Sequence, residues 1–200
     1  MSRMSFFSES IILEDETVLL RPLEISDFDN LLNFSLNEPE TWKYSLVQVA
    51  GRDHLKNYIQ KAVEARLSLT QYPFIVFDKR KQKYAGSTRF YDIQLENKTL
   101  QLGYTWYGKD FRTTGLNKHC KFLMLEYAFG NLQVERVEFR ADALNERSIA
   151  AMKSIGCTVE GVLRGSGPNA HGGRRDSIVL SILKHEWDSQ LRKQLLEKII

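Results

Sequence analysis

The spacing of hydrophobic positions changes period repeatedly along this chain, and the changes predict alternating strands and helices. Thr17–Leu23 is a short apolar run closed near Pro22 and predicts a strand. Ser26 or Asp27 can cap a following helix that carries Phe28, Leu31, Leu32 and Leu36 at helical spacing. Arg52–Leu67 predicts a second amphipathic helix, with Leu55, Tyr58, Ile59, Ala62 and Val63 on one stripe. Pro73–Asp78 and Lys83–Tyr91 flank a polar turn, 79–82, and read as a hairpin with an exposed tip; Thr99–Tyr107 adds a third strand.

Gly115–Gly130 carries one apolar stripe from Leu116 to Tyr127 and a second through Phe122, Leu125 and Phe129, which predicts a largely buried helix. Val134–Ala141 alternates: Val137, Phe139 and Ala141 face one way, Glu138, Arg140 and Asp142 the other. Asn145–Ile155 is a helix with Asn145 as N-cap and Gly156 as its stop. Val159–Leu163 and Ser177–Leu183 are final strands, separated by a glycine-rich basic loop that should be mobile and on the surface. Residues 1–14 read as a loosely tied arm, 15–188 as one domain and 189–200 as a C-terminal helical extension. Helices on both sides of a mixed sheet make this an α/β (α+β layered) domain.

Composition then excludes several classes. With 200 residues, 42% of them hydrophobic, and a net charge of +3, the chain is neither disordered nor a dedicated nucleic-acid binder. Two Cys without CxxC spacing give no disulfide framework, and His54, His119 and His185 are scattered, so no metal site is expected. His119 and Cys120 are helix neighbours pointing about 100° apart, so they form no nucleophile–base pair. No apolar run reaches the roughly 18 residues of a membrane span. A soluble, cytoplasmic protein without membrane partners is expected, and a homodimer is compatible with the sequence.

The chemistry concentrates where the third meander strand runs through Gly103–Lys118 into the helix starting at Gly115. A helix start leaves backbone N–H groups without intrahelical partners and carries partial positive charge, so it takes phosphate readily. Lys109, Arg112, Lys118 and Lys121 against Asp110 give a local surplus equal to the chain's net +3. Two readings stand at this point: a phosphate site, or a capped helix with a solvated basic first turn. The spacing is neither a Walker loop nor a dinucleotide fingerprint.

The segment Arg112-Thr113-Thr114-Gly115-Leu116-Asn117 resembles the Arg/Gln-x-x-Gly-x-Gly/Ala pyrophosphate loop of the GCN5-related N-acetyltransferases (GNAT). Leu20-Arg21-Pro22-Leu23 resembles that superfamily's first strand, and 121–129 its central helix. Arg136–Ser148, ending in Asn145-x-x-Ser148, resembles its fifth strand and the helix start beyond. Lys153–Gly156 with Glu160-Gly161 resembles the superfamily's following Lys-x-Gly-Phe and Glu-Gly pattern, and Arg175-Asp176 with Glu186-Trp187 resembles the C-terminal Arg-Asp and Glu-Trp of its ribosomal-protein-acetylase-like branch.

The resemblance implies an enzyme that uses acetyl-CoA as co-substrate and a primary amine, small molecule or protein N-terminus, as acceptor. It implies a mixed, mostly antiparallel sheet whose fourth and fifth strands, here Thr99–Tyr107 and Val134–Ala141, splay apart. Pantetheine would bond strand-four backbone around Tyr104 and Trp106, and pyrophosphate would meet the N–H groups of Arg112 to Asn117. Asn145 and Ser148 would approach the pantetheine and sulfur, with Ser148 giving or orienting the proton for the leaving thiolate. Helix capping is the structural alternative for both.

Two positions depart from the family's pattern. Asn117 stands where many relatives carry Gly or Ala, although Gly-Leu-Asn resembles a subfamily variant, and Gln101 stands where many carry a strand-four Glu; Gln cannot act as a base. Asp142 is the chosen candidate base, with Glu138, Glu160 and His171 as alternatives. Without that Glu, a catalytically weak or inactive acyl-CoA-binding regulatory module is the second functional reading. Trp42, Tyr44, Trp106 and Tyr107 can line a groove or pack the core. The basic loop Arg164–Arg175 would favour an anionic or carboxylate-flanked amine over a polyamine.

Overall fold

Eight strands form one sheet in the order β1-β2-β3-β4-β5-β6-β8-β7. They are β1 (Leu13–Glu14), β2 (Val18–Pro22), β3 (Gln71–Asp78), β4 (Lys83–Gln94), β5 (Thr99–Tyr107), β6 (Arg136–Asp142), β7 (Thr158–Pro168) and β8 (Arg174–Leu183). The helices are α1 (Arg3–Ser8), α2 (Phe28–Asn37), α3 (Arg52–Leu67), α4 (Leu116–Glu126), α5 (Glu146–Ser154), α6 (Lys184–Glu186) and α7 (Arg192–Leu196). A π turn, Tyr127–Asn131, extends α4, and another, Trp187–Leu191, joins α6 to α7. The structure is a computed structural model and describes residues 3–169 and 172–199.

Neighbouring strands pair antiparallel except β5 and β6. Parallel neighbours need a long crossover, and α4 lies on it. The β5–β6 ladder holds only Thr99–Gln101 against Arg136–Glu138, and beyond Gln101 the two strands part. The expected splay is present.

Side-chain alternation along β4 assigns the two faces. Arg89 stacks on Tyr58 of α3, so one face lies under α2 and α3. Phe90 stacks on Tyr127, and Thr88 accepts from Lys121, so the other face lies under α4 and its extension. The layered α/β expectation holds.

The 79–82 turn is an exposed hairpin tip as expected, and Arg80 and Lys81 reach from it to the carbonyls of Thr114 and Asp110. Three local expectations are corrected. The N-terminal arm is not loose, because Phe6 is fully buried with its ring 5.2 Å from Tyr72. Asp27 does not cap α2 through its side chain; its buried carboxylate takes the Arg21 guanidinium at 2.5 Å. Most of the supposed mobile loop is hairpin: β7 runs to Pro168, β8 starts at Arg174, and Gly167 pairs with Arg175.

Candidate active site

The splay exposes one edge of β5, and a bulge shapes it. On β4, Ser87 and Arg89 are two residues apart; their partners on β5, Trp106 and Gly103, are three apart. The extra residue falls by Tyr104, which has φ 50°. A bulge of this kind re-aims neighbouring side chains. Gly103 and Tyr104 consequently face the same side, under α2 and α3. A Cβ on Gly103 would stand 2.9 Å from the Tyr91 ring, so glycine is what lets that ring lie across the strand. Tyr104 meets Tyr91 edge-on, with centroids 5.1 Å apart. Thr105 faces α4.

Trp106 also points toward α2 and α3. Its ring packs on Trp42 and Phe34, and its Nε1 donates to the Tyr58 hydroxyl at 3.3 Å. Its side chain and that of Trp42 belong to the core; only the Trp106 backbone borders the splay.

The turn after β5 builds an anion cradle. Among the described residues, the backbone N–H groups of Thr113, Thr114, Gly115, Leu116 and Asn117 donate to no protein acceptor. Gly115 has φ 86°, in the left-handed region that favours glycine, and a Cβ there would meet nothing within 4 Å. Five adjacent free donors at a helix start, beside open space, fit a polyanion.

Long-range contacts hold this loop in shape. Arg112 turns inward: Nε donates to the Tyr107 carbonyl at 2.9 Å and Nη2 to Thr41 Oγ1 at 2.5 Å. Burial, then the like charge of Arg147 on α5, loosens its hold on its proton, while Glu38 opposes both. Arg80 Nη1 donates to the Thr114 carbonyl at 3.2 Å, and its guanidinium is clamped by the buried Asp78 carboxylate. Because a trans peptide points its C=O and N–H in opposite directions, holding the Thr114 carbonyl turns the Gly115 N–H away from Arg80.

Lys121 does not join the phosphate patch, as the sequence count had supposed. It is buried behind the sheet, with Nζ bonded to Thr105 Oγ1 at 2.7 Å and Thr88 Oγ1 at 3.2 Å. Burial pulls its pKa down to about 7, against opposing effects of Cys120 and Cys157. Cys120 is core, its thiol pushed up to about 12 by burial.

The α5 start lies beyond β6. Asn145 caps the helix, its Oδ1 accepting from Ser148 N–H at 3.1 Å. Among the described residues, the Ser148 hydroxyl has no protein hydrogen-bond partner, so it is available to a ligand.

The candidate bases now separate. Glu138 is bound on both oxygens, by Arg136 at 2.8 Å and Arg140 at 2.7 Å. Glu160 is held below its ordinary range by Arg136 and also accepts from Ser181. Asp142 Oδ1 accepts the Leu144 N–H at 2.9 Å, and no cation pairs with the carboxylate among the described residues. Gln101 is buried and bonds Asp92 on β4 at 2.8 Å, so a carboxylate does stand beside the strand-four position, donated by the adjacent strand. His171 lies outside the described residues.

The sheet thus opens between β5 and β6, with a run of unpartnered backbone N–H groups at the head of α4 among the described residues. Residues 17–158 match the sequence profile described as an acetyltransferase (GNAT) domain, so this chain belongs to the GNAT family. It is 27% identical over 180 residues to the uncharacterized N-acetyltransferase p20 of Bacillus licheniformis, covering 88% of this chain and 97% of that protein. The crystal structure of a GCN5-related N-acetyltransferase from Brucella melitensis superposes with TM-score 0.86 at 25% identity, covering 94% of this chain and 85% of that one. The ribosomal-protein-S5-alanine acetyltransferase from Vibrio fischeri shares the fold, with TM-score 0.71 at 19% identity and coverage of 88% and 98%.

Among the described residues, no helix is long and apolar enough to cross a membrane. Among the same residues, no group of three or more His, Cys, Asp or Glu is placed to hold a metal ion.

Proposed function

We propose that the protein transfers the acetyl group of acetyl-CoA directly to a primary amine, on a small molecule or a peptide N-terminus. The observation that carries this is the run of five unpartnered N–H groups from Thr113 to Asn117 opening onto the β5–β6 splay. Acetyl-CoA supplies an activated thioester and a pyrophosphate with the charge such a cradle fits.

In this reading the Thr113–Asn117 backbone holds pyrophosphate, and the side chain of Arg112 serves by fixing the loop. The free edge of β5 at Tyr104 and Trp106 bonds pantetheine and offers N–H groups for negative charge developing on the acyl oxygen. The Asn145 cap sets the first turn of α5, which aims the free Ser148 hydroxyl at the sulfur. Serine is a weak acid, so Ser148 passes a proton from solvent. An amine attacks only when neutral; Asp142 accepts its proton, directly or through water.

Calorimetry with CoA and a thiol-release assay over an amine panel test the reading. Micromolar CoA binding with amine-dependent thiol release supports it. CoA binding without release from any amine leaves an acyl-CoA-binding module in its place, and absence of CoA binding ends both.

A further inference from the structure

Arg89 on β4 is 4% exposed, yet among the described residues it has no ion-pair partner. Its Nη1 donates to Gln71 Oε1 at 2.7 Å, while Nε and Nη2 are buried without hydrogen-bond partners. A buried cation with unmet donors is costly, and native proteins keep such a group where something else completes it.

The surroundings of the guanidinium limit what completes it. Two tyrosine rings crowd it: its Cζ lies 4.9 Å from the Tyr58 centroid and 4.3 Å from the Tyr104 centroid. Gln71 holds Nη1. The Nε–Nη2 edge remains, and that edge presents two parallel N–H donors matched to the two oxygens of a carboxylate.

Position places Arg89 beside the open part of β5. It pairs with Gly103, which lies just past the last β5–β6 rung at Gln101. Tyr104, over whose ring the guanidinium lies, is the bulge residue. Tyr91, whose ring lies over Gly103, stands near Arg140 and Arg175 as well as Glu138 and Tyr104. Burial also keeps the Tyr91 hydroxyl protonated, available as a further donor.

We propose that the Nε–Nη2 edge of Arg89 binds a carboxylate of the acceptor, so that the enzyme acetylates amines carrying a carboxylate close by. The proposal rests on the acetyltransferase reading and adds the substrate class. The carboxylate can be the α-carboxylate of an amino acid or the side chain of an acidic N-terminal residue.

The test offers each amine in matched forms. One arm compares free amino acids with their amides. The other compares short peptides beginning with Asp or Glu against the same peptides beginning with Asn or Gln. Thiol release from acetyl-CoA is read for wild type, Arg89→Lys and Arg89→Gln. The expected result is at least a tenfold kcat/KM preference for the carboxylate in one arm, which also identifies its source. Arg89→Gln should reduce that preference below twofold, chiefly through KM, and Arg89→Lys should retain part of it, with CoA affinity unchanged in both. Equal use of carboxylate and carboxamide by wild type overturns the proposal even if the variants do not fold. So does a preference that survives Arg89→Gln. CoA binding with turnover of uncharged amines alone overturns it while sparing the acetyltransferase reading; loss of CoA binding by wild type removes both.

Discussion

Lys121 Nζ sits 2.7 Å from Thr105 Oγ1, which ties the helix that heads the anion cradle to the bulged strand of the splay. Among the described residues the ammonium has no carboxylate partner, and burial lowers its pKa from 10.5 to about 7. Between those values the unfolded chain holds the proton and the folded one releases it. The unfolded state then binds more protons, so stability rises with pH across the window; below pH 7 the full cost of burying the charge is present. Lys121→Met removes that cost and leaves Thr88 and Thr105 bonded to each other at 2.8 Å. From pH 7 to 9 the wild type should gain on the order of 2 kcal/mol relative to the variant, at up to about 1.4 kcal/mol per pH unit. Urea unfolding at both pH values measures this; parallel pH profiles would contradict it.

Arg80 acts on the cradle from outside. Its bond to the Thr114 carbonyl and its clamp on Asp78 need a planar guanidinium with several donors. Arg80→Lys keeps a cation beside Asp78 but cannot serve both partners. CoA affinity should fall by about three- to tenfold, near 1 kcal/mol, with acceptor KM little changed. Unaltered CoA affinity by calorimetry would show that the loop holds its shape without Arg80.

Ser148 has a free hydroxyl, and its N–H is already satisfied by Asn145. Ser148→Ala should therefore lower kcat by roughly tenfold or more while the melting temperature and CoA affinity stay near wild type; general-acid contributions of about 10²- to 10⁴-fold set the upper scale. Unchanged turnover would remove Ser148 from proton transfer.

Asp142→Asn keeps the oxygen that accepts from Leu144 and removes the charge. If Asp142 takes the amine proton, kcat should drop by about 10²-fold while CoA affinity stays near wild type. Unchanged kcat points to another base, and Asp92 beside Gln101 is the next to substitute.

Local pattern carried much of this fold. The helix Arg52–Leu67 and the strand Thr99–Tyr107 occur with the bounds their periodicity predicts, because each is a regular element with one clear apolar register. Asn145 caps its helix as read, since capping depends on neighbours three residues apart. The 164–175 segment reads as a loop because glycine and arginine hide a strand whose partner lies across a hairpin. Arg80, Arg89 and Lys121 are unreadable for a related reason. Each takes its role from residues 16 to 34 positions away or from burial that only the assembled sheet creates, and a surface lysine and a buried one look alike in a basic run. The bulge at Tyr104 is equally silent, because a one-residue offset between strands leaves no signature in either alone.

The central claim is that the backbone from Thr113 to Asn117 holds the pyrophosphate of acetyl-CoA, and Gly115→Glu reads it most directly. The added side chain enters open space, so the fold should survive with about 1–2 kcal/mol of left-handed backbone strain, while a carboxylate now occupies the anion cradle. Calorimetric titration of CoA into both proteins should give micromolar binding to wild type and none to the folded variant. Equal CoA binding by the two, with circular dichroism showing both folded, would contradict the account.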